Sequence, residues 1–221
     1  MKMENLSVSY GDIKVFENFS LELKEGEITC ILGRSGAGKT TLLNCLAGLI
    51  EGASYNLEGG VSMVFQEPRL LPNLTVYENL VFAGANANDI LTAVKGVGLA
   101  GKEKYRPSML SGGEKQRVSF LRAMLSGANT VLLDEPFSSL DLSTKIPLAK
   151  TFVDMIKSAN KSAIFVTHDV EEAVMVSDRI LLLSGGKITL DVMLDGTPFR
   201  DYGANVNQRK IIVDTILKSN A

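Results

Sequence analysis

The octapeptide Gly33-Arg34-Ser35-Gly36-Ala37-Gly38-Lys39-Thr40 directly follows the apolar run Ile28-Thr29-Cys30-Ile31-Leu32, and its residue types suit the holding of a polyphosphate. Gly33, Gly36 and Gly38 allow the backbone to curl without a Cβ clash, so successive N–H groups converge on phosphate oxygens. A helix beginning near Gly38 or Lys39 adds its positive N-terminal end, and Lys39 supplies a mobile ammonium for the β and γ phosphates. The Thr40 hydroxyl is placed to ligate Mg²⁺, and Thr41 continues the same nucleotide-binding segment.

A second constellation stands at the end of another apolar run. Val131-Leu132-Leu133 delivers Asp134 and Glu135 together, and the two carboxylates divide the work: Asp134 for Mg²⁺ or its waters, Glu135 for polarising the attacking water. The third is Ser111-Gly112-Gly113-Glu114. Ser-x-x-Glu is a helix capping box, yet glycines inside a helix cost about 1 kcal/mol each relative to alanine. Their bare backbone, with a serine hydroxyl at a helix N-terminus, makes a second anion site. Because the glycine loop already holds one end of the nucleotide, this site is expected to face another ligand molecule, as a symmetric dimer would arrange.

These groups need elements that carry them to one edge. Ile28–Leu32, Thr130–Leu133, Ala163–Val166 and Ile180–Leu183 are continuous apolar runs, expected as strands buried on both faces of a mainly parallel sheet. Helical stretches at Lys39–Ala47, Gly113–Leu125, Leu142–Ser158 and Val170–Val176 complete an α/β architecture, whose phosphate sites lie at strand carboxyl ends. Alternation at Leu6–Tyr10 and Phe19–Leu23, with turns at Gly11-Asp12 and Glu25-Gly26, predicts an antiparallel β layer. Between Gln66 and Leu110 the pattern changes to short helical segments, the clearest starting at Thr75. The expectation is one domain over 1–221 with a helical subdomain at about 67–126. Lys187–Leu194 alternates like a hairpin arm, and Ile211, Ile212, Ile216 and Leu217 mark an amphipathic end with no assigned chemistry.

Taken together, Gly33–Thr40, Gln66, Leu110–Arg117, Leu132–Pro136, Ser138–Asp141 and the histidine after Phe165-Val166-Thr167 resemble the motif set of ATP-binding cassette (ABC) ATPases, over about Leu6 to Ser184. The resemblance implies a P-loop NTPase core and a head-to-tail dimer enclosing two ATP molecules, each held by one subunit's phosphate loop and the other's signature helix. Ser111 and Gly113, with Gly112 and Glu114 beside them, then meet the partner's γ-phosphate, and Asp141 reaches towards the partner's phosphate loop. Tyr10 matches the aromatic that stacks on adenine, and Val15 an apolar contact. His168 matches the switch histidine that contacts the γ-phosphate and orients Glu135 and water. Gln66 matches the glutamine that contacts Mg²⁺ or the water. Asp169 is read as the cap of the following helix.

The stretch Phe65-Gln66-Glu67-Pro68-Arg69-Leu70-Leu71-Pro72, followed by Leu74–Leu80, is most like the ATPase subunits of bacterial importers for nitrate, sulfonates, taurine or thiamine. Its prolines and leucines, expected exposed, suit a groove for a cytoplasmic helix of a permease subunit, with a substrate-binding protein acting indirectly. Relative to the usual layout, Glu51–Gly60 is abbreviated.

Composition narrows the classes further. At 221 residues and 45% hydrophobic content, the chain can bury a sizeable core. A formal charge of −2 without a basic patch argues against nucleic acid as a partner. No apolar leader follows Met1 and no run reaches the roughly 18 residues of a membrane helix, so a cytoplasmic protein attached to the membrane through permease subunits is expected. Cys30 and Cys45 suit small core positions. A small-molecule P-loop kinase has no use for Leu110–Arg117, a guanine-specific switch lacks its Asn-Lys-x-Asp, and DNA-repair or translation cassettes usually bring a long coiled coil or a second cassette.

Overall fold

The computed structural model describes residues 2–51, 57–138, 140–201 and 203–218. Part of the abbreviated Glu51–Gly60 stretch, Met1, and Ser139 of the Ser138–Asp141 motif therefore lie outside the described residues.

The centre is a six-stranded sheet in the order β4(Val61–Val64), β5(Thr130–Asp134), β6(Ser162–Thr167), β3(Ile28–Leu32), β7(Arg179–Ser184), β8(Lys187–Met193). All neighbours pair in parallel except β7 and β8, which form an antiparallel edge hairpin. The four apolar runs read as buried strands occupy its interior, and β3 and β5 are buried at every residue. The pleat explains why every residue is apolar or sheltered. Ile28, Cys30 and Leu32 face a core built with the helices, whereas Ile31, Leu132, Ile164 and Leu181 face a second core under the N-terminal β layer. Both cysteines are buried and unpaired with each other.

The β layer is the antiparallel pair β1(Lys2–Tyr10) and β2(Ile13–Glu22). The second strand starts at Ile13, six residues before the expected Phe19. Its alternation is broken by Asn18, whose φ is 51°, and β1 carries a matching irregularity at Asn5 with φ 56°. The Asn18 amide donates to Ser7 Oγ and the Asn5 amide to Ser20 Oγ, so each irregularity is fastened across the pair. A bulge shifts the side-chain period by one residue, which hides a strand from a search for strict alternation.

α1(Lys39–Leu46) follows β3, α5(Leu142–Ser158) follows β5, and α6(Val170–Val176) follows β6; the last two have the expected bounds. The stretch after β4 contains α2(Val76–Phe82), α3(Ala87–Gly96), a 3₁₀ turn at Pro107–Met109 and α4(Gly112–Met124). Thr75 caps α2 in a capping box with Glu78. The buried Asn79 amide accepts from the Leu71 N–H and donates to the carbonyls of Leu71, Leu74 and Thr75, fastening the loop before α2. Leu70 and Leu71 are half-buried rather than exposed, because Leu70 packs on the main core; the exposed large apolar side chains of this region are Val81, Phe82, Leu91 and Met109. The last helix, α7(Val206–Lys218), buries Ile212 and leaves Ile211 and Leu217 exposed.

Candidate nucleotide-hydrolysis site

β3 ends at Leu32, and the next six residues form a loop that closes on α1. Gly33 is held tightly: a Cβ there would lie 2.7 Å from the Leu183 carbonyl oxygen, and its N–H donates to the Thr167 carbonyl at 3.4 Å. Gly38 caps α1 with φ 95°, a left-handed conformation that a side chain would strain, and a Cβ there would press on Val15 and Phe16 at 2.9 and 3.0 Å. The Lys39 ammonium folds back to donate to the carbonyls of Gly33 and Arg34 at 2.9 and 3.0 Å, bracing the loop as a ring. It also lies 3.9 Å from Glu135 Oε1. Burial lowers the Lys39 pKa from its ordinary 10.5, while Glu135 and Asp134 pull it the other way.

A cavity of about 660 Å³ opens over this loop. Arg34, Ser35, Gly36, Gly38, Lys39, Thr40 and Thr41 line its floor, and Tyr10 and Val15 one wall. Gln66, Glu135 and His168 close the other side. Tyr10, 53% exposed, is the last residue of β1, so its ring stands free over the mouth rather than packing into the β layer. Gly33 and Ala37 lie beneath the floor: Gly33 is buried and Ala37 packs on the second core.

Asp134 is the last residue of β5 and Glu135 the first beyond it. Glu135 adopts φ 44°, a conformation that costs a non-glycine residue of order 1–3 kcal/mol and persists only where neighbours enforce it. They do: its N–H donates to the Val166 carbonyl at 3.1 Å, its own carbonyl accepts from the Ser138 N–H and hydroxyl, and Phe137 anchors the turn against Phe152. The twist places the Glu135 carboxylate between Lys39 and His168, whose Nδ1 is 3.2 Å from Oε2.

Thr40 Oγ1 donates to Asp134 Oδ1 at 3.2 Å, and a hollow of about 380 Å³ beside the main cavity is shared by Thr40, Gln66 and Asp134. A hydroxyl, an amide oxygen and a carboxylate are hard donors of the kind Mg²⁺ takes when it keeps waters and substrate phosphates as its other ligands. No group of three or more His, Cys, Asp or Glu able to hold a metal occurs among the described residues. Burial raises the Asp134 pKa above its ordinary 3.8, and nearby Glu135 adds to the rise against the opposing effects of Thr40 and Lys39. With Asp134 read as a Mg²⁺ ligand in its carboxylate form, Mg²⁺ affinity should rise as the pH climbs through this raised value, with proton release on binding. Calorimetry in buffers of different ionisation enthalpy measures that proton; a pH-independent affinity with no proton release would remove Asp134 as ligand.

The signature residues are elsewhere. Ser111 caps α4 by accepting from the Glu114 N–H at 3.3 Å, and Glu114 returns to the Ser111 N–H at 2.9 Å while pairing with Lys102. Ser111 and Gly112 are exposed and a Cβ on Gly112 would meet nothing, so this helix start presents open backbone. Asp141 caps α5, accepting from the Thr144 N–H at 3.0 Å and from the hydroxyls of Ser143 and Thr144, which hold its carboxyl below its usual pKa. Ser111, Gly112, Gly113, Glu114 and Asp141 line none of the cavity over their own chain's phosphate loop. Asp169 caps α6, as its position predicts.

Sequence reasoning did not find the buried group under His168, where Lys145, Glu172 and Thr167 connect. Its signal was present in spacing alone, four residues after Asp141 and four after His168.

A phosphate-cradling loop on a parallel sheet, with a paired Asp-Glu and a histidine at the same edge, defines a P-loop nucleotide hydrolase. Residues 16–138 match the family described as ABC transporter. The chain is 38% identical over 206 residues to the aliphatic sulfonates import ATP-binding protein SsuB 2 of Rhodococcus jostii, covering 88% of this chain and 83% of that protein. It is 37% identical over 209 residues to SsuB 1 of Pseudomonas syringae pv. tomato, covering 92% and 77%. Among solved structures, a dimeric bacterial ABC transporter cassette superposes with a TM-score of 0.75 at 29% identity, over 88% of this chain and 99% of that one. A cassette dimer bound to ADP and Pi gives 0.74 at 27%, with the same coverage. The chain belongs to the ABC transporter family and is an ATP-binding ATPase chain of it.

Proposed function

We propose that this chain is the ATPase subunit of an importer, working as an ATP-sandwich dimer with permease subunits at the inner face of the membrane. The observation that carries the reading is the cavity itself: phosphate loop, Tyr10, Gln66, Glu135 and His168 line one space, while Ser111 stands exposed outside it. A nucleotide bound there is half enclosed, and an exposed capped helix with bare glycines is the complementary half when a second copy supplies it.

In this reading Tyr10 and Val15 hold the adenine, and the loop amides with Lys39 hold the β and γ phosphates. Thr40, Gln66 and Asp134 hold Mg²⁺, which neutralises developing charge on the phosphate oxygens. Glu135 polarises the attacking water, and His168, 3.2 Å from it, fixes the carboxylate and reaches the γ-phosphate. Ser111, Gly112 and Gly113 complete the partner's site. Glu114 acts one step back, holding Ser111, and Asp141 faces the partner's loop. ATP binding closes the dimer; hydrolysis and phosphate loss remove the ligand that bridges the halves and reopen it. Residues 67–126 then act as a helical subdomain on the one-domain core, and exposed Val81, Phe82 and Leu91 are suited to a permease contact. No described helix is long and apolar enough to cross a membrane, which is consistent with attachment through other subunits. The likeness to sulfonate importers supports a small organic anion as cargo, delivered by a substrate-binding protein.

Mixed dimers test the shared site. Ser111→Arg and Lys39→Ala chains, each inactive alone, leave one composite site free of both substitutions when combined. Recovery of up to about half the wild-type turnover per mixed dimer is expected if active sites add independently. Folded mixed dimers with no recovery would rule out the trans arrangement.

A further inference from the structure

We propose that Lys145 and Glu172 form a positioning pair for His168, tying the turn that begins α5 at Asp141 to the chain on both sides of that histidine. The proposal rests on the reading of His168 as a site group. Its basis is a continuous set of bonds. Lys145 Nζ donates to Glu172 Oε1 at 2.5 Å, and Glu172 Oε2 accepts from Thr167 Oγ1 at 2.7 Å. The same hydroxyl accepts from the Asp169 N–H at 3.1 Å. Asp169 in turn caps α6 by accepting from the Glu171 and Glu172 amides at 2.8 and 3.3 Å, and lies 3.8 Å from Lys145. Thr167 and Asp169, the residues flanking His168, are thus both held to one ammonium on α5.

At the other end, Lys145 is one helical turn from Asp141: its N–H donates to the Asp141 carbonyl at 2.8 Å. Asp141 is exposed, whereas the Glu172 side chain is 4% exposed and that of Lys145 16%. A buried ion pair is seldom a gain in stability, because desolvation consumes much of the attraction and an apolar pair of similar volume often serves as well. What the pair supplies is direction, since hydrogen bonds fix distance and angle where apolar contact leaves rotation open. His168 itself is 62% exposed and meets Glu135 by its Nδ1, so its own packing does not fix it. Its backbone must be set from below, and the pair is the group placed to do so. A shift of the Asp141 turn then reaches His168 through one rigid helical turn and three short polar contacts.

The test is steady-state ATP hydrolysis by the purified chain carrying Glu172→Gln, Lys145→Met or Lys145→Arg, each in the wild-type and His168→Ala backgrounds, with thermal melts to confirm folding. Misplacing a group near the chemistry costs roughly 10- to 100-fold, so Glu172→Gln and Lys145→Met should lower kcat by that factor with KM within about twofold. Lys145→Arg should restore most of kcat. In the His168→Ala background neither substitution should lower kcat further, because the group they position is gone. If Glu172→Gln does not fold, Lys145→Met carries the same comparison. Equal losses in both backgrounds, a raised KM in place of a lowered kcat, unchanged kcat, or a loss when His168→Ala itself is harmless would each overturn the proposal. Failure of the hydrolase reading shows separately, as wild-type turnover in a Glu135→Gln protein that keeps Lys145 and Glu172 intact.

Discussion

Glu135→Gln is expected to lower ATP turnover by about 10²- to 10⁴-fold, the range for removing a general base, with ATP affinity close to wild type. The amide keeps the volume and one acceptor oxygen, so the φ 44° turn, which the Val166 carbonyl and Ser138 enforce through backbone contacts, has no reason to relax. It loses the charge that faces both Lys39 and His168 and that, in the proposed role, draws the proton from water. Because the substitution touches only what is needed as the water attacks, kcat should fall while KM changes little. Single-turnover hydrolysis with equilibrium nucleotide binding measures both quantities. Light scattering adds a third readout: with ATP bound but not cleaved, the variant should accumulate as a dimer in Mg-ATP. Undiminished hydrolysis would remove Glu135 from this role.

Lys39→Ala has a different signature. In the proposed site its ammonium contacts phosphate in ground and transition states alike, so its loss should weaken nucleotide binding by roughly 10- to 100-fold, the worth of one charge-assisted hydrogen bond. Hydrolysis should fall with it. In the free protein the same ammonium satisfies the carbonyls of Gly33 and Arg34, so the substitution also loosens the ring that shapes the loop. The carbonyl of exposed Arg34 keeps the Ala37 N–H at 3.2 Å, whereas that of buried Gly33 loses its side-chain donor. The sign of the pH dependence follows from burial: the lysine loses its proton below its ordinary 10.5, so wild-type affinity should decline as pH approaches that value from below. In Lys39→Ala that alkaline decline should be absent. Titration of a fluorescent ATP analogue across pH measures both effects; wild-type affinity in the variant would undermine the phosphate-loop assignment.

Val81, Phe82 and Leu91 illustrate how far a linear pattern reaches. Leu70 and Leu71, beside two prolines, read as exposed, but Asn79 pulls that loop inward with four hydrogen bonds and the exposed apolar groups fall on α2, α3 and the 3₁₀ turn instead. A buried amide fastening a loop eight residues away leaves no periodic trace. The same holds for β2, whose start was hidden by Asn18.

By itself the sequence determined the kinds of element and the chemistry available to them. Buried parallel strands show as unbroken apolar runs, helix starts show as Thr75, Ser111 and Asp169, and a phosphate loop needs glycines at set intervals, all of them local requirements. Only the tertiary structure decided what those groups meet. The strand order puts β6 between β3 and β5, and this alone brings His168 to Glu135 and Asp134 to Thr40, residues far apart along the chain. It also turns Ser111 away from its own phosphate loop and joins Lys145 to Glu172 and Thr167 beneath the histidine. Hydrogen bonds and ion pairs act over a few ångströms in space, and separation along the chain carries no record of them until the sheet has closed.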